Sequence, residues 1–289
     1  PLTDATIRDA VGGALAAGGP EYVHPGYGPI AGWDVSRVKD MSNMFEDARA
    51  FNGDLKDWDV SAVENMNGMF GAAAAFNGDL NGWRVGRVTD MYGMFNGATA
   101  FNGDLRNNDD GAWDVSNVRD MGYMFAGAVT FNGDLKDWDV SAVKDMSNMF
   151  EDARAFNGDL KDWDVSAVEN MTRMFRNAGA FNGDLGLRWD VRRVTDMGGM
   201  FIGAVIFNGD LSLWDVRNVK YMDRMFHDAE AFNGDLSRWD VRNVEDMDRM
   251  FKDAVAYLPA HALGLRAAWR ALPPPPPPPP LTDATIRDA

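Results

Sequence analysis

Apolar positions recur along this chain with a period of 25 residues. Trp stands at 33, 58, 83, 113, 138, 163, 189, 214 and 239, and each Trp opens a near-copy of W-D-V-S-x-V-x-D-M-x-x-M-F-x-x-A-x-x-F-N-G-D-L. All 18 methionines and all 17 phenylalanines fall inside this pattern. Two spacings alternate within a copy. Val63, Met66, Met69, Phe70 and Ala73 lie at i, i+3, i+6, i+7 and i+10, which predicts a short helix with one apolar face. Asp or Asn precedes the first Met at Asp40, Asn65, Asp90, Asp120, Asp145, Asn170, Asp196 and Asp246, where a short acceptor side chain suits a helix N-cap; Tyr221 is the exception. Leu55, Trp58 and Val60 predict a short strand with Trp58 and Val60 inward and Asp59 outward. Asn52-Gly53 signals a turn.

A period of this length means a solenoid, because one copy alone leaves its Trp, Met and Phe side chains in water. Each is worth roughly 1.5–3 kcal/mol when buried, and stacking buries them as continuous columns. Parallel pairing between copies predicts right-handed crossovers. Residues 38–66 are identical to residues 143–171, the mark of tandem duplication. Two insertions, within residues 106–112 and at Leu187-Arg188, precede Trp113 and Trp189 and are expected to bulge outward.

The repeated phrase resembles the BspA-type leucine-rich-repeat family over roughly residues 30–257. Arg84 after Trp83, and Arg192, Arg217 and Arg242 in place of Ser, depart from its pattern. The resemblance implies a leucine-rich-repeat-like α/β solenoid of nine coils, each a short parallel strand plus a short helix. It also implies an extracellular or cell-surface location with structural or adhesive roles, and it supplies no catalytic residues.

The ends differ from the repeats. Residues 1–32 predict a capping helix from Thr3 to about Ala17, with Ile7, Val11 and Leu15 on one face and Gly12-Gly13 weakening it. Residues 33–257 form the nine-repeat body, and 258–272 predict a C-terminal capping helix with Leu265, Trp269 and Leu272 inward. Pro273, Pro274, Pro275, Pro276, Pro277, Pro278, Pro279 and Pro280 predict a polyproline II rod of roughly 25 Å. The sequence PLTDATIRDA at 1–10 then returns at 280–289, so 281–289 reads as the start of a further tandem unit.

Composition narrows the chemistry. Lys+Arg is 28 against Asp+Glu 44, a net charge of −16, which disfavours nucleic acid and anionic membranes as partners. There is no Cys, which removes thiolate metal sites and cysteine nucleophiles. No apolar run is long enough to span a bilayer, and no secretory signal opens the sequence. His24, His227 and His261 stand at no metal-ligand spacing and pair with no nucleophile motif, so no enzyme and no cofactor are expected.

The column Asp54, Asp79, Asp104, Asp134, Asp159, Asp184, Asp210 and Asp235 is the best candidate for calcium. The alternative is that each carboxylate accepts backbone N–H bonds of its own turn. One carboxylate per turn falls short of the six to eight oxygens that calcium takes, so the expectation is no metal. Asn170-Met171-Thr172 is the one N-x-[ST] sequon, and the proline run is a second candidate for glycans. The leading expectation is a filament-forming surface protein whose partners are copies of itself. The alternative is an adhesion module using Arg37, Ala62, Arg87, Asn117, Ala142, Ala167, Arg193, Asn218 and Asn243.

Overall fold

The computed structural model describes residues 1–18, 21–107, 112–186 and 188–257. The expected C-terminal helix (258–272), the proline rod (273–280), the repeated decapeptide (281–289) and most of the two insertions lie outside the described residues.

Nine coils stack through a parallel hydrogen-bond ladder. In the first coil the N–H groups of Met41, Asn43, Phe45 and Asp47 donate to the carbonyls of Asn65, Asn67, Met69 and Gly71 in the second, at 2.7–2.9 Å. The N–H groups between them turn back on their own coil: Met44, Glu46 and Ala48 donate to the carbonyls of Met41, Asn43 and Phe45. Alternate donors therefore stitch the stack and close the turns. The pattern runs on to the N–H of Phe226 donating to the carbonyl of Met250. Parallel bridges from Asp40↔Asn65 to Tyr221↔Asp246 mark the ladder.

This arrangement replaces the helix expected over V-x-x-M-x-x-M-F-x-x-A. Among the described residues no repeat contains a helix. The segment is a chain of tight turns, with two left-handed residues in every coil. In the first coil these are Asn43 (φ 53°) and Asp47 (φ 57°); in the sixth they are Arg173 (φ 52°) and Asn177 (φ 56°). A positive φ at the third residue of a turn cannot occur inside an α-helix. The same residues face inward, since a three-residue turn step also returns Met and Phe to one side. The expected N-caps change role as well. Asp40 sits in the ladder, and its Oδ1 accepts the N–H of Ser42 at 2.9 Å, closing an Asx turn rather than opening a helix. Nor is L-x-x-W-x-V a strand; the ladder lies at the x-D-M segment instead.

The core follows the expected phase. Every Trp from Trp33 to Trp239 is buried, and so are the paired valines. Trp58 Nε1 donates to the carbonyl of Ile30, and Trp83 Nε1 to that of Leu55, so each indole is tied to a backbone acceptor one coil back. Two phenyl columns run beside them. Phe150 stacks on Phe175 at 5.7 Å, Phe156 stacks on Phe181 at 6.0 Å, and Phe150 and Phe156 lie 3.9 Å apart. The stack continues across the first insertion, with Phe101 and Phe131 at 5.9 Å. An asparagine ladder runs alongside: the N–H of Asn77 donates to Asn52 Oδ1, and the N–H of Asn102 to Asn77 Oδ1.

The first coil has no predecessor, and the N-terminal segment imitates one with side chains. Helix α1 (Asp4–Ala17) starts at Thr3, which forms a capping box with Thr6, and it buries Ile7, Ala10, Val11 and Ala14. Asp4 Oδ1 accepts the N–H groups of Lys39 and Asp40 at 2.7 and 3.2 Å. One coil further on, the carbonyl of Lys39 accepts the N–H groups of Glu64 and Asn65 at 2.8 and 3.2 Å. The carboxylate thus stands in for a missing backbone carbonyl. Arg8 donates to the carbonyl of Ser42, a ladder acceptor that would otherwise face open solvent. The N–H of Asn52 donates to the Tyr22 hydroxyl, the place an asparagine oxygen takes in later coils. A short antiparallel pair, β1 (Val23–His24) and β2 (Gly28–Pro29), leads into the first coil.

Candidate functional site

The acidic residues that dominate the surface are mostly turn-closing acceptors. In the F-N-G-D column, Asp54 Oδ1 accepts the N–H of Lys56, Asp159 Oδ1 that of Lys161, and Asp184 Oδ1 that of Gly186. Asp79, Asp104, Asp134, Asp210 and Asp235 do the same with Asn81, Arg106, Lys136, Ser212 and Ser237. Several also pair with a cation of their own turn, as Asp104 does with Arg106 at 2.6 Å and Asp159 with Lys161 at 2.9 Å. These bonds hold the carboxyls of Asp104 and Asp159 below the usual range. A calcium ion would have to displace such partners one turn at a time. EGTA is therefore expected to leave the melting temperature unchanged; a drop of several degrees would show a structural ion in the column.

A second such column follows Trp. Asp59 Oδ1 accepts the N–H of Ser61. In coils seven to nine Arg replaces the Ser and pairs with its Asp: Arg192 with Asp190, Arg217 with Asp215, and Arg242 with Asp240. Hydrogen bonds from Arg242 hold the Asp240 carboxyl down to about 2. Lowered carboxyls support the fold above their unfolded value near 3.9 and lose that support as pH falls toward their folded values. Acid unfolding is thus expected below about pH 4.

In the third column, x-D-M, Asp120 behaves in the opposite sense. Burial pushes the Asp120 carboxyl up, helped by Asp145 and Asp90 above and below it in the stack. Its ionised form weakens the fold at neutral pH, and protonation relieves that. Asn65 and Asn170 fill the same column and close the same turn. Asp120→Asn should keep the bond to the Gly122 N–H. It should raise Tm by about 1–2 °C at pH 7, a gain that vanishes near pH 3. A lower Tm at pH 7 would contradict this account.

Asn170, the sequon residue, is half-buried. Its Nδ2 donates to Asp145 Oδ2 at 3.1 Å, and its Oδ1 accepts the Thr172 hydroxyl at 2.7 Å. A glycan there would have to break the bond to Asp145. The proline candidates lie outside the described residues. The variable positions face outward, and several are tied to the coil before: Asn117 Nδ2 to the Gly86 carbonyl, Asn218 to Arg192, and Asn243 to Arg217. A depression of about 500 Å³ lies beside Ala167 and Arg193.

Two features escaped the sequence reading. His227, Asp228 and Asp253 bring donor atoms within 4.8 Å of one another across coils eight and nine, with His227 Nδ1 2.8 Å from Asp228. Their spacing of 25 became visible only once position 228 was seen to be left-handed and outward. The other is a notch of about 250 Å³ at the seventh coil.

No helix among the described residues is long and apolar enough to cross a membrane. A family model described as "Mycoplasma protein of unknown function, DUF285" matches residues 26–112, 106–187 and 186–261. No curated protein matches. Among solved structures, the chain is weakly similar to one titled "Crystal structure of TLR13-ssRNA13 complex", at 11% identity and a TM-score of 0.31. That likeness covers 76% of this chain and 34% of the other, so this chain spans about a third of its length.

Proposed function

We propose, from the premise that the chain belongs to the DUF285 family of repeat proteins, that it is a structural, filament-forming protein of the cell surface or extracellular space. Its units are capped solenoids joined by polyproline rods and arrayed in tandem, and the finer kinship is with BspA-type repeats.

The observation that carries this reading is the return of PLTDATIRDA at 280–289 after eight prolines. The first copy holds the groups that close the open face of coil one: Asp4 on two N–H groups, Arg8 on a carbonyl, and Ile7 in the core. Asp283, Ile286 and Arg287 repeat those groups, so a following unit would bring its own cap. A stiff proline connector suits an extended array, because it loses little entropy on ordering. The acidic surface keeps unassembled material soluble. The stack itself is rod-like, so chain length becomes filament length without a new interface.

Negative-stain imaging of native material tests the proposal. Fibres built of regularly spaced rods are expected. Isolated rods would overturn it in favour of an adhesion module presenting its outer face.

A further inference from the structure

We propose that the notch at the seventh coil binds one sugar ring of a neutral, linear polysaccharide, with Tyr221 as the stacking platform. The proposal is independent of tandem assembly, since the notch lies within one unit.

The notch exists because one coil lacks side chains where its neighbours have large ones. Gly198 and Gly199 form its floor, Arg173 of coil six one wall, and Tyr221, Asp223 and Arg224 of coil eight the other. Flexible side-chain ends reach over the floor, so a residue larger than Gly there would push them aside and fill the notch. A Cβ at Gly198 would come 2.9 Å from Asp223 Oδ1, and one at Gly199 2.7 Å from the end of Ile202.

Two of the wall residues carry a backbone cost to the fold. Arg173 and Arg224 both hold φ of 52°, in the column that Gly68, Gly93 and Gly199 fill without strain. Among the described residues neither guanidinium makes an ion pair, in a protein with 44 acidic side chains. Arg176, close by, is paired with Glu151. Tyr221 breaks the column in which every other coil carries Asp or Asn, and so gives up the Asx bond that closes the turn elsewhere. Tyr221 stays 41% exposed, its hydroxyl donating to Glu245 Oε2 at 3.5 Å.

The rest of this face repeats the theme. Tyr92 and Tyr123 lie 5.4 Å apart in coils three and four, and the Tyr92 ring covers Gly122. Tyr92, Tyr123 and Tyr221 each stand within two residues of the first Met of their coil, whereas Tyr257 belongs to the phenyl column. Four coils, about 20 Å, separate Tyr123 from Tyr221, a span that several sugar rings would bridge.

The chemistry selects the ligand. A pyranose offers C–H bonds to an aromatic face, and hydroxyls that donate to carboxylates and accept from guanidinium groups. Asp196 and Asp223 beside Arg173 and Arg224 supply both partners. The Asp223 carboxyl is pushed up by burial and by the charges of Asp246 and Asp196. The two carboxylates Asp196 and Asp223 balance the two guanidinium groups, so the notch offers no net positive charge to hold a polyanion.

The test uses the full chain against immobilised hexasaccharides of β-1,4-glucan, β-1,4-mannan and β-1,4-galactan, with polygalacturonate as the anionic arm. Binding to at least one neutral hexasaccharide is expected. Tyr221→Ala should weaken it about tenfold, equivalent to ~1.4 kcal/mol. Gly199→Asn keeps a residue suited to positive φ and should close the notch. Arg224→Gly should lose affinity while Tm holds or rises, because Gly relieves the left-handed strain. A merely structural arginine would show no such split. The proposal is overturned if no neutral hexasaccharide binds at millimolar concentration or if only polygalacturonate binds. It also fails if binding is unmoved by Tyr221→Ala and Gly199→Asn.

Discussion

Trp138→Ala is expected to cost about 3–5 kcal/mol of stability, the largest effect of any single truncation considered. The indole is 3% exposed, so its loss leaves a cavity the stack cannot collapse into. Collapse is resisted because the neighbouring rings of the coil before are held in register. Trp138 stacks on Trp113 at 6.1 Å and lies 6.3 Å from Phe125. The substitution also removes the Nε1 donor that reaches the Leu105 carbonyl at 2.8 Å. That buried acceptor would be left unsatisfied, which adds to the cavity term. Denaturant unfolding measures the cost. A value under about 1 kcal/mol would mean that the Trp column contributes little to the core.

Gly158→Ala should cost about 1–2 kcal/mol, although it adds one methyl group at the surface of a turn. Gly158 does not have a positive φ, so backbone freedom is not the reason for glycine. The reason is space. A Cβ would lie 3.0 Å from both Cε2 and Cζ of Phe156, and 3.5 Å from the Gly133 carbonyl oxygen. The ring cannot retreat, being held between Phe131 and Phe181 at 6.0 Å on either side and against Phe150 at 3.9 Å. Overpacking of this kind costs about 1–3 kcal/mol. Lower entropy of the unfolded chain offsets roughly 0.4–1 kcal/mol of that. The invariant Gly of F-N-G-D is therefore a packing residue for the phenyl column. A neutral or stabilising effect in the same denaturant assay would refute this.

These two residues show what the sequence made legible. Trp138 and Val140 alternate with Asp139, and that alternation sets the inward phase without any knowledge of the backbone between. Ile7 and Val11 recur at helical spacing after Thr3, and α1 lies there. The turn chain over Val-x-x-Met-x-x-Met-Phe was misread because helix and tight turns share a step of about three residues. The distinguishing signal was present at two fixed positions. Asn43, Gly68, Gly93, Asn148 and Gly199 fill the first, and Asp47, Gly97, Gly127, Asn177 and Asp228 belong to the second. Residues that favour turns and left-handed backbone over helix interiors do not recur mid-helix by design. Arg173, Arg224, Arg249 and Tyr123 interrupt the first column and hid the pattern. The candidate site was less legible because it depends on what is missing. A notch made by two glycines between coils is a property of neighbours 25 residues apart, and no local motif records it.

The proposed assembly makes a dimensional claim as well as a chemical one. Nine coils at about 4.8 Å give roughly 43 Å of stack, and the proline run adds roughly 25 Å. With caps, a fully extended array repeats every 70–90 Å or so. A shorter axial repeat would mean that units overlap sideways, with the rod lying along a neighbouring solenoid.

The mass of the native polypeptide tests the tandem claim most directly. The account predicts a chain several times heavier than the 31.9 kDa of this sequence, yielding the peptides of this unit in many-fold excess. A mature chain of about 32 kDa that ends at Ala289 would contradict it outright.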